Sequence, residues 1–178
     1  MWSNTHMQHL VLASELTAAN IQAGNIVSLG LDITVAGTLP MLEFSLKMAN
    51  SSATNMSSYD ASSFTTVYTN ASLMPTVGIN TLTFTTPFVW DGVSNVVIEI
   101  CHGNPGSTAT MSRTCKADNT SFVSTIHTHK TVSTGGNSQC TDNTTNLLPI
   151  VFALNFTLRT VPLLLLILER WYVCCGYY

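Results

Sequence analysis

Apolar and polar residues alternate with a period of two along most of this chain. In NIVSLGLDITVAG, Val27, Leu29, Leu31, Ile33 and Val35 fall on one side and Ser28, Gly30, Asp32 and Thr34 on the other. In MLEFSLKMAN, Leu42, Phe44, Leu46 and Met48 alternate with Glu43, Ser45 and Lys47. Leu82 and Phe84 alternate with Thr81, Thr83 and Thr85, and Val96, Ile98 and Ile100 oppose Val97, Glu99 and Cys101. Near the end, PIVFALNFTL places Ile150, Phe152, Leu154, Phe156 and Leu158 on one side. Successive strand residues point to opposite faces, so each segment predicts a strand with one dry and one wet face. That is the signature of antiparallel sheet, since strands of a parallel sheet read as unbroken apolar runs.

Weaker strands are expected at MQHLVLA, FTTVYTN, TATMSRTC and SFVSTIHTHKTV. One short helix is expected at SELTAANI, with Ser14 capping its first turn. Loops fall at NSSATNMSSYDASS, CHGNPGS and STGGNSQCTDNTTN, all dense in turn-forming residues. About eight to ten strands at roughly 8–12-residue spacing predict an all-β fold: an antiparallel two-sheet β-sandwich, jelly-roll-like, with one short helix near the N-terminus. It is expected to occupy residues 1–160. The apolar tail at 161–178 does not alternate, and its run from Val161 to Leu168 is far short of the roughly 20 residues that span a bilayer. It is expected to lie outside the domain, so that deleting 162–178 leaves the melting temperature unchanged.

Composition narrows the function classes. Charged residues are only 8% of the 178, against roughly 25% in ordinary proteins, and Ser, Thr and Asn supply the polar surface instead. Six Lys and Arg in all leave no basic patch, so nucleic acid is not an expected partner. An uncharged polar surface points to a secreted or cell-surface location. There one disulfide among Cys101, Cys115 and Cys140 is expected. The start, MWSNTHMQHL, lacks the basic and apolar regions of a signal peptide, and the chain is therefore expected to be a piece of a longer precursor.

The stretch TTPFVWDGVSNVVIEICHGN sets Trp90, Asp91, Gly92 and Asn95 between two strand-like runs. Asp-Gly is a strong turn signal, and the simplest expectation is a hairpin corner. A functional reading gives Asp91 and Asn95 to a Ca²⁺ ion, or stacks Trp90 on a sugar ring. Calcium takes six to eight oxygens, and this loop offers few.

From His9 to the cysteine after this loop, the chain resembles a β-rich domain of secreted multidomain proteins of Bacteroidetes-type bacteria, often exported by the type IX secretion system. The resemblance covers roughly residues 7–157, and its sharpest piece is Phe88, Trp90, Asp91, Gly92, Asn95 and Cys101. It implies an accessory domain beside sorting signals, adhesion repeats or secreted enzymes, with no agreed activity of its own. A second cysteine before the last strand, which Cys140 matches, is implied as the partner of Cys101; Cys115 is extra.

Other chemistry is sparse. His127 and His129 form an H-x-H on one predicted strand, on the same face as Thr125, which suggests a wet face. With a third ligand, from His102, Asp118 or His9, they have the spacing to bind zinc or copper. Two exposed strand histidines are the simpler expectation. There is no G-x-S-x-G, H-E-x-x-H or phosphate loop, and Glu15, Glu43, Glu99 and Glu169 are scattered, so no enzyme is expected and no cofactor beyond a possible Ca²⁺. Two roles remain. A module for adhesion, or for binding glycans or a cell-surface polymer, predicts Tyr59, Tyr68 or Trp90 exposed along a groove. A structural spacer that contacts only its neighbouring domains predicts those rings buried.

Overall fold

The computed structural model describes residues 4–103 and 113–130, with the backbone alone of the short strands at 146–148, 150–152, 154–158 and 172–173. It is an all-β protein of two antiparallel sheets. The strands are β1 (Asn4–Val11), β2 (Gly24–Val35), β3 (Met41–Ser51), β4 (Thr65–Leu73), β5 (Gly78–Trp90), β6 (Asn95–Gly103), β7 (Thr114–Asn119) and β8 (Thr125–Lys130). Shorter strands follow: β9 (Asn146–Leu148), β10 (Ile150–Phe152), β11 (Leu154–Leu158) and β12 (Tyr172–Val173). The first sheet runs β4-β3-β6-β1-β8-β9. In the second, β2 pairs with β5 along one edge and with β11 and β7 along the other, and β10 and β12 pair with β7. Thus two residues of the expected tail, Tyr172 and Val173, sit opposite Ala117 and Lys116. Among the described residues no helix is long and apolar enough to cross a membrane.

The core lies between the sheets and follows the alternation. Leu29, Leu31 and Ile33 of β2, Phe44, Leu46 and Met48 of β3, Leu82, Phe84, Phe88 and Trp90 of β5, and Val96, Ile98 and Ile100 of β6 all enter it. Burying a side chain of this size contributes about 1.5–3 kcal/mol. Departures from the pattern occur towards the strand ends: Ile26, not Val27, and Met41, not Leu42, enter the core, and Val35 is 48% exposed. Glu43 between Leu42 and Phe44 has φ 50°, a left-handed conformation that breaks strict alternation. In β5 the strand bulges. Ile26 pairs with Phe88 and Ser28 with Thr83, so four residues including Pro87 lie opposite one. A residue without an N–H is at home in such a place.

The helix found among the described residues, α1 (Ala13–Ala18), begins earlier than the sequence predicts. Its N-cap is Leu12, not Ser14, and Leu12 makes no side-chain cap bond. Two distant or local acceptors replace the serine. The Glu15 carboxylate accepts the Leu12 N–H at 2.9 Å, and Asn95 Oδ1 accepts the Ala13 N–H at 2.7 Å. Leu16 and the following Ile21 plug one end of the sandwich.

At β1 and β6 the first sheet is buried on both faces. Its outer face carries a second, smaller core of Leu10, Met56, Val97 and Ile126, flanked by Tyr59, Phe64, Phe122 and Val123. The cover is the segment 52–64, the Ser- and Asn-rich stretch that reads as an open loop in sequence. The Met56 N–H donates to the Val123 carbonyl at 2.7 Å and pins it. This explains why β1, NTHMQHLV, is buried at all eight positions although five of them are polar.

Candidate functional site

Beneath that cover, two rows of side chains cross the outer face of the first sheet. Register sets them. Gln8 of β1, Glu99 of β6 and Lys47 of β3 are direct cross-strand neighbours, and so are His6, Cys101 and Ser45 in the next row. Glu99 is the hub, and it is only 5% exposed. Lys47 Nζ donates to its Oε1 at 2.7 Å, Gln8 Nε2 donates to Oε2 at 2.8 Å, and His6 Nε2 lies 3.2 Å from Oε2. Cys101 Sγ stands 3.9 Å from Oε1. Burial alone would raise the Glu99 pKa. The hydrogen bonds from His6, Lys47 and Gln8, with the charge of Lys47, outweigh it and lower the pKa to about 2.

The same cluster ties down the cover. Gln8 completes its amide with the backbone of Asp60, donating to the carbonyl at 3.1 Å and accepting the N–H at 2.7 Å. Tyr59 stacks on His6 with ring centroids 4.3 Å apart, and its hydroxyl reaches the His6 carbonyl and Thr128 Oγ1 at 3.1 and 3.0 Å. Asp60 accepts the hydroxyl of Ser51 and the N–H of Ser62. Burial opposes its ionisation, but these bonds leave its pKa below the ordinary value.

The WDGVSN segment is a corner of a different kind from a hairpin. β5 and β6 are not paired with each other; β5 pairs β2 in the second sheet and β6 pairs β1 and β3 in the first. The Asp-Gly signal fixes a tight reversal, but core packing decides which sheet the next strand joins. Asp91 accepts the Val93 and Ser94 N–H groups at 2.9 and 2.7 Å, and the Ser94 hydroxyl as well. These bonds hold its pKa below the usual carboxylate range. Trp90 is 1% exposed and donates Nε1–H to the Ser94 carbonyl at 2.8 Å. Asn95 bridges α1 to the cover, accepting from Ala13 and donating to the Ala53 carbonyl at 2.8 Å. Gly92 has φ +85°, and a Cβ there would stand 2.8 Å from the Cβ of Ala23.

The face of β8 expected to be wet is dry. Thr125 and His127 are 3% and 9% exposed. They lie opposite His9 and Met7 of β1, on the side that faces the second sheet. An apolar alternation marks buried faces only when the other face is wet, and here Ile126 and Thr128 are covered too. His9, one of the residues weighed as a third ligand, does come beside this strand: its Nδ1 is 2.8 Å from Thr125 Oγ1. Burial, and then repulsion from His127, push the His9 pKa well below 6.5, and burial also lowers that of His127. The side chains of His129 and Asp118, and Cys140 altogether, lie outside the described residues.

No family model, no curated protein and no solved structure matches the chain.

His6, Gln8, Lys47 and Asp60 were not singled out by the sequence reading, and Tyr59, expected along an open groove or buried, instead stacks on His6 within the cover. The one available signal was Glu99 itself, a carboxylate in the middle of an otherwise apolar strand. Such a charge needs a partner, but sequence order does not say that β1 and β3 flank β6.

Proposed function

We propose that the chain is a non-catalytic accessory domain of a secreted or cell-surface protein, and that its role is structural: a rigid β-sandwich that spaces or supports neighbouring domains. The observation that carries this reading is the fate of the three aromatic rings best suited to stack on a sugar. Trp90 is buried in the core, half-buried Tyr59 belongs to the cover and is stacked on His6, and half-buried Tyr68 packs edge-on against Phe44 at 6.0 Å, so none of the three stands free along a groove. The uncharged Ser/Thr/Asn surface supports the secreted location, as does the resemblance to type IX-exported bacterial proteins. Cys101 is held in a disulfide, for which Cys140 is the partner the resemblance offers; Cys115 is a buried free thiol.

Adhesion through glycan or surface-polymer binding is the second reading. It is favoured by the exposed aliphatic side chains Met74, Val77 and Ile79 at one end of the neutral β4–β5 edge. A glycan array probed with the folded chain, with calcium and again with a chelator, separates the two. The structural role predicts silence in both conditions. Reproducible binding to one glycan class contradicts it, and loss of that binding on chelation would bring Asp91 and Asn95 back as calcium ligands.

A further inference from the structure

Glu99 is held by three donors, and the row beside it adds two side chains that can ligate a metal. His6 and Cys101 face each other across β1 and β6, and Glu99 is two residues from Cys101 on the same face. One donor atom from each of His6, Glu99 and Cys101 lies within 4.8 Å of the others, and all three residues are buried. We propose that the reduced chain binds one Zn²⁺ ion through His6 Nε2, Glu99 Oε2 and Cys101 Sγ.

The geometry fits with little movement. Zinc bonds of about 2.0–2.1 Å to nitrogen and oxygen, set at a tetrahedral angle, place two such ligands about 3.3 Å apart. His6 Nε2 and Glu99 Oε2 already stand 3.2 Å apart. The longer zinc–sulfur bond, about 2.3 Å, widens the corresponding separation to about 3.5 Å. Cys101 Sγ is 3.9 Å from Glu99 Oε1, the other oxygen of the same carboxylate. All three ligands rise from paired strands, so the sheet fixes their spacing. The outer contacts needed to orient them are in place: Tyr59 fixes the plane of the His6 ring, and Lys47 and Gln8 fix the carboxylate. The ion would lie between His6 Nε2 and Glu99 Oε2, with Nε2 as the unprotonated ring nitrogen that ligates it. Nitrogen, oxygen and sulfur donors together suit zinc better than calcium or magnesium, which take oxygen. Lys47, whose charge lies beside the site, limits the affinity.

The site depends on the state of Cys101. In a disulfide its sulfur is not a thiolate. A dithiol reductant opens that bond by exchange: its two thiols are oxidised to one disulfide, and Cys101 and its partner each gain one electron and one proton. Zinc then displaces the Cys101 proton to solvent, so binding releases about one proton and tightens as pH rises. Oxidation and metal binding therefore compete for one sulfur. This proposal is independent of whether the domain acts as a spacer.

The test is a titration of zinc, and of cobalt as its spectroscopic stand-in, into the full chain after reduction and again after oxidation. A chromophoric chelator reports the free metal. The expected result is one equivalent bound by the reduced chain, with thiolate-to-cobalt charge transfer and tetrahedral cobalt bands, and none bound by the oxidised chain. Cys101→Ser should abolish the charge-transfer band, and His6→Gln should weaken binding about tenfold or more, with circular dichroism confirming that each variant is folded. If either variant fails to fold, the contrast between reduced and oxidised wild-type chain still decides. Equal binding in both redox states, absence of binding in the reduced folded chain, or charge transfer that survives Cys101→Ser overturns the proposal.

Discussion

Replacing Glu99 with glutamine removes the charge at the hub of the covered face while keeping its shape. The consequence can be worked from the pKa. Glu99 titrates near 2 in the folded chain against 4.5 without its partners. A depressed carboxylate pKa contributes stability above the unfolded value and loses it as pH falls towards the folded one. A gap of that size corresponds to about 3 kcal/mol in favour of the folded state at neutral pH, at 1.36 kcal/mol per unit. Linkage places about 2 kcal/mol of this loss between pH 7 and pH 3. Asp60 and Asp91 also lose stability on acidification, but they do so in both proteins. The informative quantity is therefore the difference in unfolding free energy between wild type and Glu99→Gln, from urea denaturation at a series of pH values. The wild type should be more stable at pH 7, and its advantage should shrink by about 2 kcal/mol by pH 3. A difference that stays constant from pH 7 to pH 3 would refute the argument, because the carboxylate would then have no special stabilisation to lose.

Four further outcomes follow from the same geometry. Gly92→Ala, forced into a positive φ with its new methyl against Ala23, should cost about 1–3 kcal/mol; unchanged stability by thermal melting would contradict that. Asn95→Ala leaves the Ala13 N–H and the Ala53 carbonyl without partners and should cost about 1–3 kcal/mol, whereas Asp91→Ala, in an exposed turn, should cost less; the reverse order in chemical denaturation would sink the account of the corner. Because burial lowers the pKa of His9 and His127 from 6.5, stability should hold above that pH and decline as pH falls below it, since the unfolded chain takes up protons the folded one refuses; a wild-type midpoint rising between pH 7 and pH 5.5 would contradict this. Tyr59→Phe loses the hydroxyl's contacts with the His6 carbonyl and Thr128 and should cost about 1 kcal/mol.

The two-sheet architecture was legible because β2, β3, β5 and β6 each carry a one-sided apolar stripe. Their buried residues, from Leu29 to Ile100, are largely those the alternation marks. The covered face was not legible. In β1 both faces are buried, so His6, Gln8 and His9 look like surface residues in sequence yet are 1%, 1% and 0% exposed. In β8 the same masking makes Thr125 and His127 look wet. The information that these faces are covered sits far along the chain, in 52–64, where Ser and Asn read as an open loop. Those residues satisfy one another and the strand side chains, as Asp60 does with Gln8, Ser51 and Ser62. The corner at Trp90 was half legible: Asp91 and Gly92 announce a turn, but only the packing of Phe88, Trp90, Val96 and Ile98 into one core sends the chain across to the other sheet.

The central claim is that the polar residues most resembling a site are spent on fastening a cover over the first sheet. Amide hydrogen exchange of Met56 and Asp60 tests it most directly. Their N–H groups donate to the Val123 carbonyl and to Gln8 Oε1, both at 2.7 Å. The account predicts strong protection at both, with Asp60 protection falling in Gln8→Ala and Met56 protection less affected. Exchange at the rate of an open loop at both positions would contradict it, because the segment would then lie free of the sheet and its polar residues would be available to a ligand.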